Sequence, residues 1–224
     1  MKMKNGGWNK GFAWMLTVAL LAAMLCGSAM AEETTLEPWA NEGGWVSFPL
    51  VVQQEELNGA WEEGAKAFAG AIGLTALEGL DGATLKKMML QGYAYETHFD
   101  DLTVDGTRIT VRSQEGEELF SHEYGWVETM ENAMEGAAVY VFQTKDEKAG
   151  AFTYLCMTEP KTTESENGSY TSFNLFHAAK DYQAMFDKNN VQIPCMMIRA
   201  DTGTEGLTAA ILDIFASPAV IVKP

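Results

Sequence analysis

A chain of 224 residues with 47% hydrophobic and 21% charged residues has the composition of one globular domain with a full core, not of a disordered segment. Its formal net charge of −16 repels nucleic-acid phosphates and anionic lipid headgroups alike, which argues against both as partners.

The first segment has the layout of a signal peptide. Lys2, Lys4 and Lys10 precede an apolar run of 14 residues, Phe12 to Leu25, and Ala29-Met30-Ala31 supplies a small-x-small cleavage motif. The run is shorter than the ~20 residues a spanning helix needs. Residues 1–31 are therefore expected to be cleaved after Ala31. That leaves a secreted protein, extracellular or periplasmic, with no stable membrane insertion. Leu25 stands where a lipid-attachment signal at Cys26 requires a small residue. Cleavage leaves 12 basic against 31 acidic residues, a net charge of −19.

Residues 32–44 read as a flexible acidic lead-in, 45–216 as the domain and 217–224 as a tail. Trp45 and Phe48 in GGWVSFPLVV bring the chain into the core. In QQEELNGAWEEGAKAF, Leu57, Trp61, Ala65 and Phe68 recur at helical spacing, which predicts a helix over 53–68. A second helix is expected over 82–90. The pattern then turns to alternation. Residues 93–101 read as a strand, and Val104-Asp105-Gly106-Thr107 reads as an Asp-Gly hairpin turn into RITVRS. ELFSHEYGWVE, AAVYVFQTK, AFTYLCMTE and YTSFNLFHA follow as strands. DYQAMFDKN reads as a helix, CMMIRA as a short piece, and Thr204 to Phe215 as a closing helix. Five or six antiparallel strands at short spacing, flanked by helices at both ends, predict a mainly β, α+β domain: an antiparallel calycin or lipocalin-like barrel. Such a barrel has an interior and a mouth where small ligands bind.

Chemistry is harder to find. The chain has no Gly-x-Ser-x-Gly, Cys-x-x-Cys, P-loop, dinucleotide glycine fingerprint or His-Glu-x-x-His, so nothing marks an enzyme. His98 shares the polar side of its stretch with Glu96 and Asp100, the pattern of a solvated face. His122 and its neighbour Glu123 point to opposite faces of a strand and form no chelating pair. His177 shares a face with Phe173 and Leu175, while Ser172, Asn174 and Phe176 share the other. Asn167-Gly168-Ser169 is a glycosylation sequon on an expected loop tip. In an oxidising compartment Cys156 and Cys195 have two readings. One is a disulfide, worth ~4 kcal/mol in the chain-entropy model. The other is two free thiols buried in apolar surroundings. Two cysteines do not decide between them.

Several features in order resemble the ZinT family of exported bacterial zinc-binding proteins. They are LEPWANEGGWVSFPL (36–50), LKKMMLQGYAYET (85–97), LTVDGTRITV (102–111), YVFQTKDEKAGAFTYLCMTEP (140–160), SFNLFHAA (172–179) and Pro194. The resemblance implies a calycin-like fold and a zinc site at the barrel mouth. A histidine at the end of one late strand and a His-x-His pair on the next would supply the ligands. On this chain those positions fall on Thr158, Ser172 and Asn174, none of them histidine, and Glu32, Glu33, Thr34 and Thr35 stand where many members have a histidine-rich tract. Neutral hydroxyl and amide groups are poor zinc ligands. A calcium site would need the carboxylates of Glu159, Glu164 or Glu166. The expectation is an exported, non-enzymatic ZinT-like binding protein with zinc binding weakened or lost. Zinc, or another divalent metal, enters by resemblance only. The alternative is a calycin-type carrier of a small apolar ligand or peptide.

Overall fold

The computed structural model describes residues 34–71, 80–92, 101–113, 115–134, 136–187 and 194–216. Spatial contacts divide the chain into Met1–Thr34 and Thr35–Pro224, and the second unit holds everything below. Residues 1–31, residues 93–100 of the strand expected over 93–101, His98 and the tail 217–224 lie outside the described residues. So does the expected cleavage site. Among the described residues no helix is long and apolar enough to cross a membrane.

The described residues form a ten-stranded antiparallel sheet. Its strands are β1 (Trp45–Ser47), β2 (Asp101–Asp105), β3 (Arg108–Arg112), β4 (Glu118–Glu123), β5 (Gly125–Met134), β6 (Ala137–Gln143), β7 (Tyr154–Thr158), β8 (Lys161–Ser165), β9 (Gly168–Ala178) and β10 (Cys195–Arg199). The order across the sheet is β4-β3-β2-β1-β10-β9-β7-β6-β5, with β8 pairing β9 off this path. The helices are α1 (Phe48–Val51), α2 (Asn58–Ala71), α3 (Gly82–Gly92) and α4 (Thr204–Ala216). This is the expected calycin-like α+β architecture, an antiparallel sheet curled into a half-barrel.

The two ends of the sheet, β4 and β5, are consecutive in sequence and separated by Tyr124 alone. The stretch read as one strand is thus a bent ribbon. Its first half pairs with β3 (Thr110↔Ser121) and its second with β6 (Thr129↔Tyr140). Tyr124 is the corner, buried, with its hydroxyl donating to the Phe152 carbonyl at 2.7 Å and its own N–H to the Thr107 carbonyl at 2.8 Å.

Alternation places Leu102, Val111, Phe120, Phe142, Leu155, Met157, Phe173, Leu175 and Met197 on the inner face. Trp39 fills that face, edge-on to Phe142 and Tyr140. Leu36 and Trp39 are both buried in this core, so the segment from Thr35 to Gly44, within the stretch 32–44 read as a flexible lead-in, is a packed part of the domain. Its anchor is the Trp39 indole, which donates to the Thr158 carbonyl at 2.9 Å.

Helices cover the outer face over β1, β9 and β10. Trp61, Ala65 and Phe68 of α2 pack with Ile211 and Phe215 of α4, and Tyr170 of β9 and Ile198 of β10 join them. The helix expected from residue 53 begins at Asn58, after a 3-10 turn over Glu55–Leu57. Asp81 accepts from the Thr84 N–H at 2.8 Å and so caps α3. The β2–β3 turn has Gly106-Thr107 at its centre, between the pair Asp105↔Arg108, with Gly106 at φ +58°. Glycine in the first central position is the type II′ solution, not Asp-Gly in a type I′ turn. The segment after β9 is a 3-10 turn over Tyr182–Phe186 where a helix was expected.

Candidate functional site

Thr158 ends β7 and lies opposite Val139, whose side chain is on the outer face. Ser172 pairs with Ile198 and Asn174 with Met196, and both of those partners belong to the helix-side packing. Thr158, Ser172 and Asn174 therefore share one face, and that face is the outer one. The Thr158 hydroxyl accepts from the Asn174 N–H at 2.9 Å. The family-matching positions do come together, but outside the barrel, and the threonine hydroxyl serves as a backbone crosslink between β7 and β9.

The positions of β9 that point inward are Phe173, Leu175 and His177. Shifting the register by one residue to reach the interior thus replaces a serine and an asparagine by a phenylalanine and a leucine. Neither register offers a set of zinc ligands, so the residues present do not fit zinc at the family position. Among the described residues no group of three or more His, Cys, Asp or Glu side chains is placed to hold a metal. Glu159, Glu164 and Glu166 are exposed, and Glu164 accepts from Ser169 at 2.9 Å on the β8–β9 hairpin. The sequon asparagine Asn167 sits in the turn of that hairpin.

His177 and His122 both belong to the inner face, at the end covered by the β6–β7 connection. That connection is a 3-10 segment over Glu147–Phe152, kinked at Gly150 with φ +55°. Asp146 caps it by accepting from the Lys148 N–H at 2.9 Å, and its other oxygen accepts from His122 Nδ1 at 3.0 Å. Both interactions, the backbone one foremost, hold the Asp146 carboxyl below the usual carboxylate range. His177 Nδ1 donates to the Ala151 carbonyl at 3.2 Å, and burial pushes its pKa down. The rings run in a column: His122 on Phe120 (5.6 Å), Phe120 on Phe152 (4.5 Å), Phe152 on His177 (4.8 Å). The two imidazoles thus flank a pair of phenyl rings and hold the connection against β4 and β9. The partner of His122, 24 residues away, carried no signal in the sequence, because local spacing ties His122 only to Glu123 on the opposite face.

Cys156 and Cys195 are both free and buried. Cys156 lies opposite Phe176 in the outer cluster, whereas Cys195 lies opposite Leu175 in the inner core. The sheet itself separates the two sulfurs, so the disulfide reading gives way to that of two buried thiols. Burial pushes the Cys156 thiol up to about 12 and the Cys195 thiol up to about 11.

No family model matches the sequence, and no curated protein matches it. Solved structures do match the fold. One is the Zn(II)-bound ZinT-like domain of Streptococcus pneumoniae AdcA, with TM-score 0.53 and 15% identity over 83% of this chain and 93% of that one. Another is Zn(II)-bound AdcA from the same organism, with TM-score 0.53 and 17% identity over 85% of this chain. The present chain spans 37% of the length of that protein. At these identities the likeness establishes the fold, and the chain has the architecture of a ZinT-like domain.

Proposed function

We propose that this is an exported, non-enzymatic binding protein of ZinT type in which zinc binding is weakened or lost. The observation that carries the reading is the donor set at the family-matching positions. Thr158, Ser172 and Asn174 are neutral, they lie on the outer face, and the Thr158 hydroxyl is bonded to a backbone N–H. Zinc sites are built from thiolate, imidazole and carboxylate groups, and none of these three side chains is one. The alternative, a carrier of a small apolar ligand, is less well supported. Trp39, Trp45, Phe142 and Met157 occupy the inner face and are essentially fully buried there.

The test is metal content. Protein purified without chelator near neutral pH is expected to hold well under one zinc per chain by mass spectrometry. One zinc per chain, released by chelator and lost on Thr158→Ala or Asn174→Ala, overturns the reading.

A further inference from the structure

The strand order ends at β4 and β5, and among the described residues neither has a strand on its outer side. Of the two, β5 is the longer, with ten residues from Gly125 to Met134. A strand edge with open N–H and C=O groups is a template for another chain. The same edge exposes apolar surface. Trp126 is 39% and Val127 38% exposed, two of the four exposed large hydrophobic side chains among the described residues. Val127 is the unpaired residue of a bulge, between the pairs Trp126↔Phe142 and Glu128↔Val141.

Charge decides what fits there. Residues 115–134 hold both ends of the sheet and contain six glutamates, with no lysine or arginine. Among the described residues only Glu123 of the six has an ion pair, with Arg108 at 3.0 Å. Such an edge repels a strand from a second copy of this chain, whose net charge is −16, and it repels nucleic acid for the same reason. It attracts a basic strand. The two sides of β5 add a second condition. Phe142 belongs to the inner core, so its partner Trp126 lies on the inner side, whereas Val141 belongs to the outer cluster, so Glu128 lies on the outer side. A strand laid beside β5 sends alternate side chains to these two sides. We propose that the free edge of β5 docks an extended segment of a partner protein in which apolar residues alternate with lysine or arginine. The apolar row lies against Trp126 and the basic row beside Glu128. One added strand makes a small interface, so the complex is weak and sensitive to salt.

The probe is an end-blocked peptide of alternating lysine and valine, about nine residues long, with a counterpart that carries glutamate for lysine. Titration at low salt, followed by NMR, is expected to show binding of the lysine peptide and slower amide exchange along β5. Affinity is expected to fall as salt is added, and the glutamate peptide is expected not to bind. Trp126→Ser is expected to weaken binding about tenfold or more, as removal of an aromatic anchor does. Val127→Lys and Glu128→Lys are expected to weaken it as well, through charge. Trp126 and Val127 are exposed, so their variants keep the fold, which an unchanged melting temperature checks. Equal affinity in wild type and Trp126→Ser, slower exchange on another strand instead of β5, or binding of the glutamate peptide overturns the proposal. So does sedimentation of the protein alone as a dimer that Val127→Lys dissociates, since a second copy then holds the edge. None of these results touches the reading of Thr158, Ser172 and Asn174, which is tested by zinc content.

Discussion

His177 is held with its Nδ1–H on the Ala151 carbonyl and its ring against Phe152, and burial is the larger influence on its pKa. Burial disfavours the imidazolium, so the folded-state pKa is below the 6.5 of the unfolded chain. The sign of the pH dependence follows. Above pH ~6.5 both states are neutral at this residue and its contribution to stability is complete. As pH falls from there toward the folded-state pKa, the unfolded chain takes up a proton that the folded one refuses, and stability is lost. Urea denaturation of wild type and His177→Gln between pH 7.5 and 5 is expected to show a smaller loss in the variant. Equal slopes would refute the assignment. The sequence placed His177 with Phe173 and Leu175 and apart from Ser172 and Asn174, and the structure keeps that grouping. Which group faces inward was not legible. Both faces of β9 are covered, so both carry large apolar residues: Phe173 and Leu175 on one, Tyr170 and Phe176 on the other. A strand buried on two sides loses the polar–apolar contrast that orients it.

The elements that escaped the sequence reading share the same physical causes. β10, Cys-Met-Met-Ile-Arg, is apolar almost throughout because Cys195 and Met197 pack inward while Met196 and Ile198 meet the helices. β1 has three residues, too few for any period to show. β8, Lys-Thr-Thr-Glu-Ser, is polar because β9 is its only strand partner among the described residues and much of it faces solvent. The helices were legible, since α2 and α4 each have one apolar stripe and meet through Trp61, Phe68 and Phe215. What their stripes do not reveal is how closely a neighbour approaches. At Gly82, the first residue of α3, a Cβ would stand 2.5 Å from the Glu62 nitrogen of α2, so backbone must move to admit it. Gly59 in α2 has open space around the same position. Gly82→Ala is therefore expected to destabilise the domain by about 1–3 kcal/mol, as overpacking does. Gly59→Ala is expected to be neutral or stabilising by roughly 0.5–1 kcal/mol, since alanine loses less entropy in a helix. Chemical denaturation of the pair checks both. A neutral Gly82→Ala would mean that α3 is free to shift away from α2.

At the scale of the molecule, the sheet is joined end to end by the chain itself. β4 and β5 are the two ends of the strand order, yet only Tyr124 lies between them. An open sheet with two free ends frays from each independently, whereas here displacing β4 from β3 pulls on the pairing of β5 with β6. The β6–β7 connection reinforces the joint from inside, through the Tyr124 hydroxyl on the Phe152 carbonyl, His122 on Asp146, and Phe120 stacked on Phe152. Tyr124→Phe removes a single hydroxyl and keeps the ring in the core. It leaves a partly buried carbonyl without that donor, a change that costs about 1–3 kcal/mol. If the joint couples the two ends, this loss appears in the global unfolding of the domain, as a lower urea midpoint with an unchanged m value. Amide exchange in β3 and β6 should then accelerate together, although those strands lie far apart in the sheet order. Acceleration confined to β4 and the Glu147–Phe152 segment, with the midpoint unmoved, would mean that the corner opens locally and that the halves of the barrel stand without it.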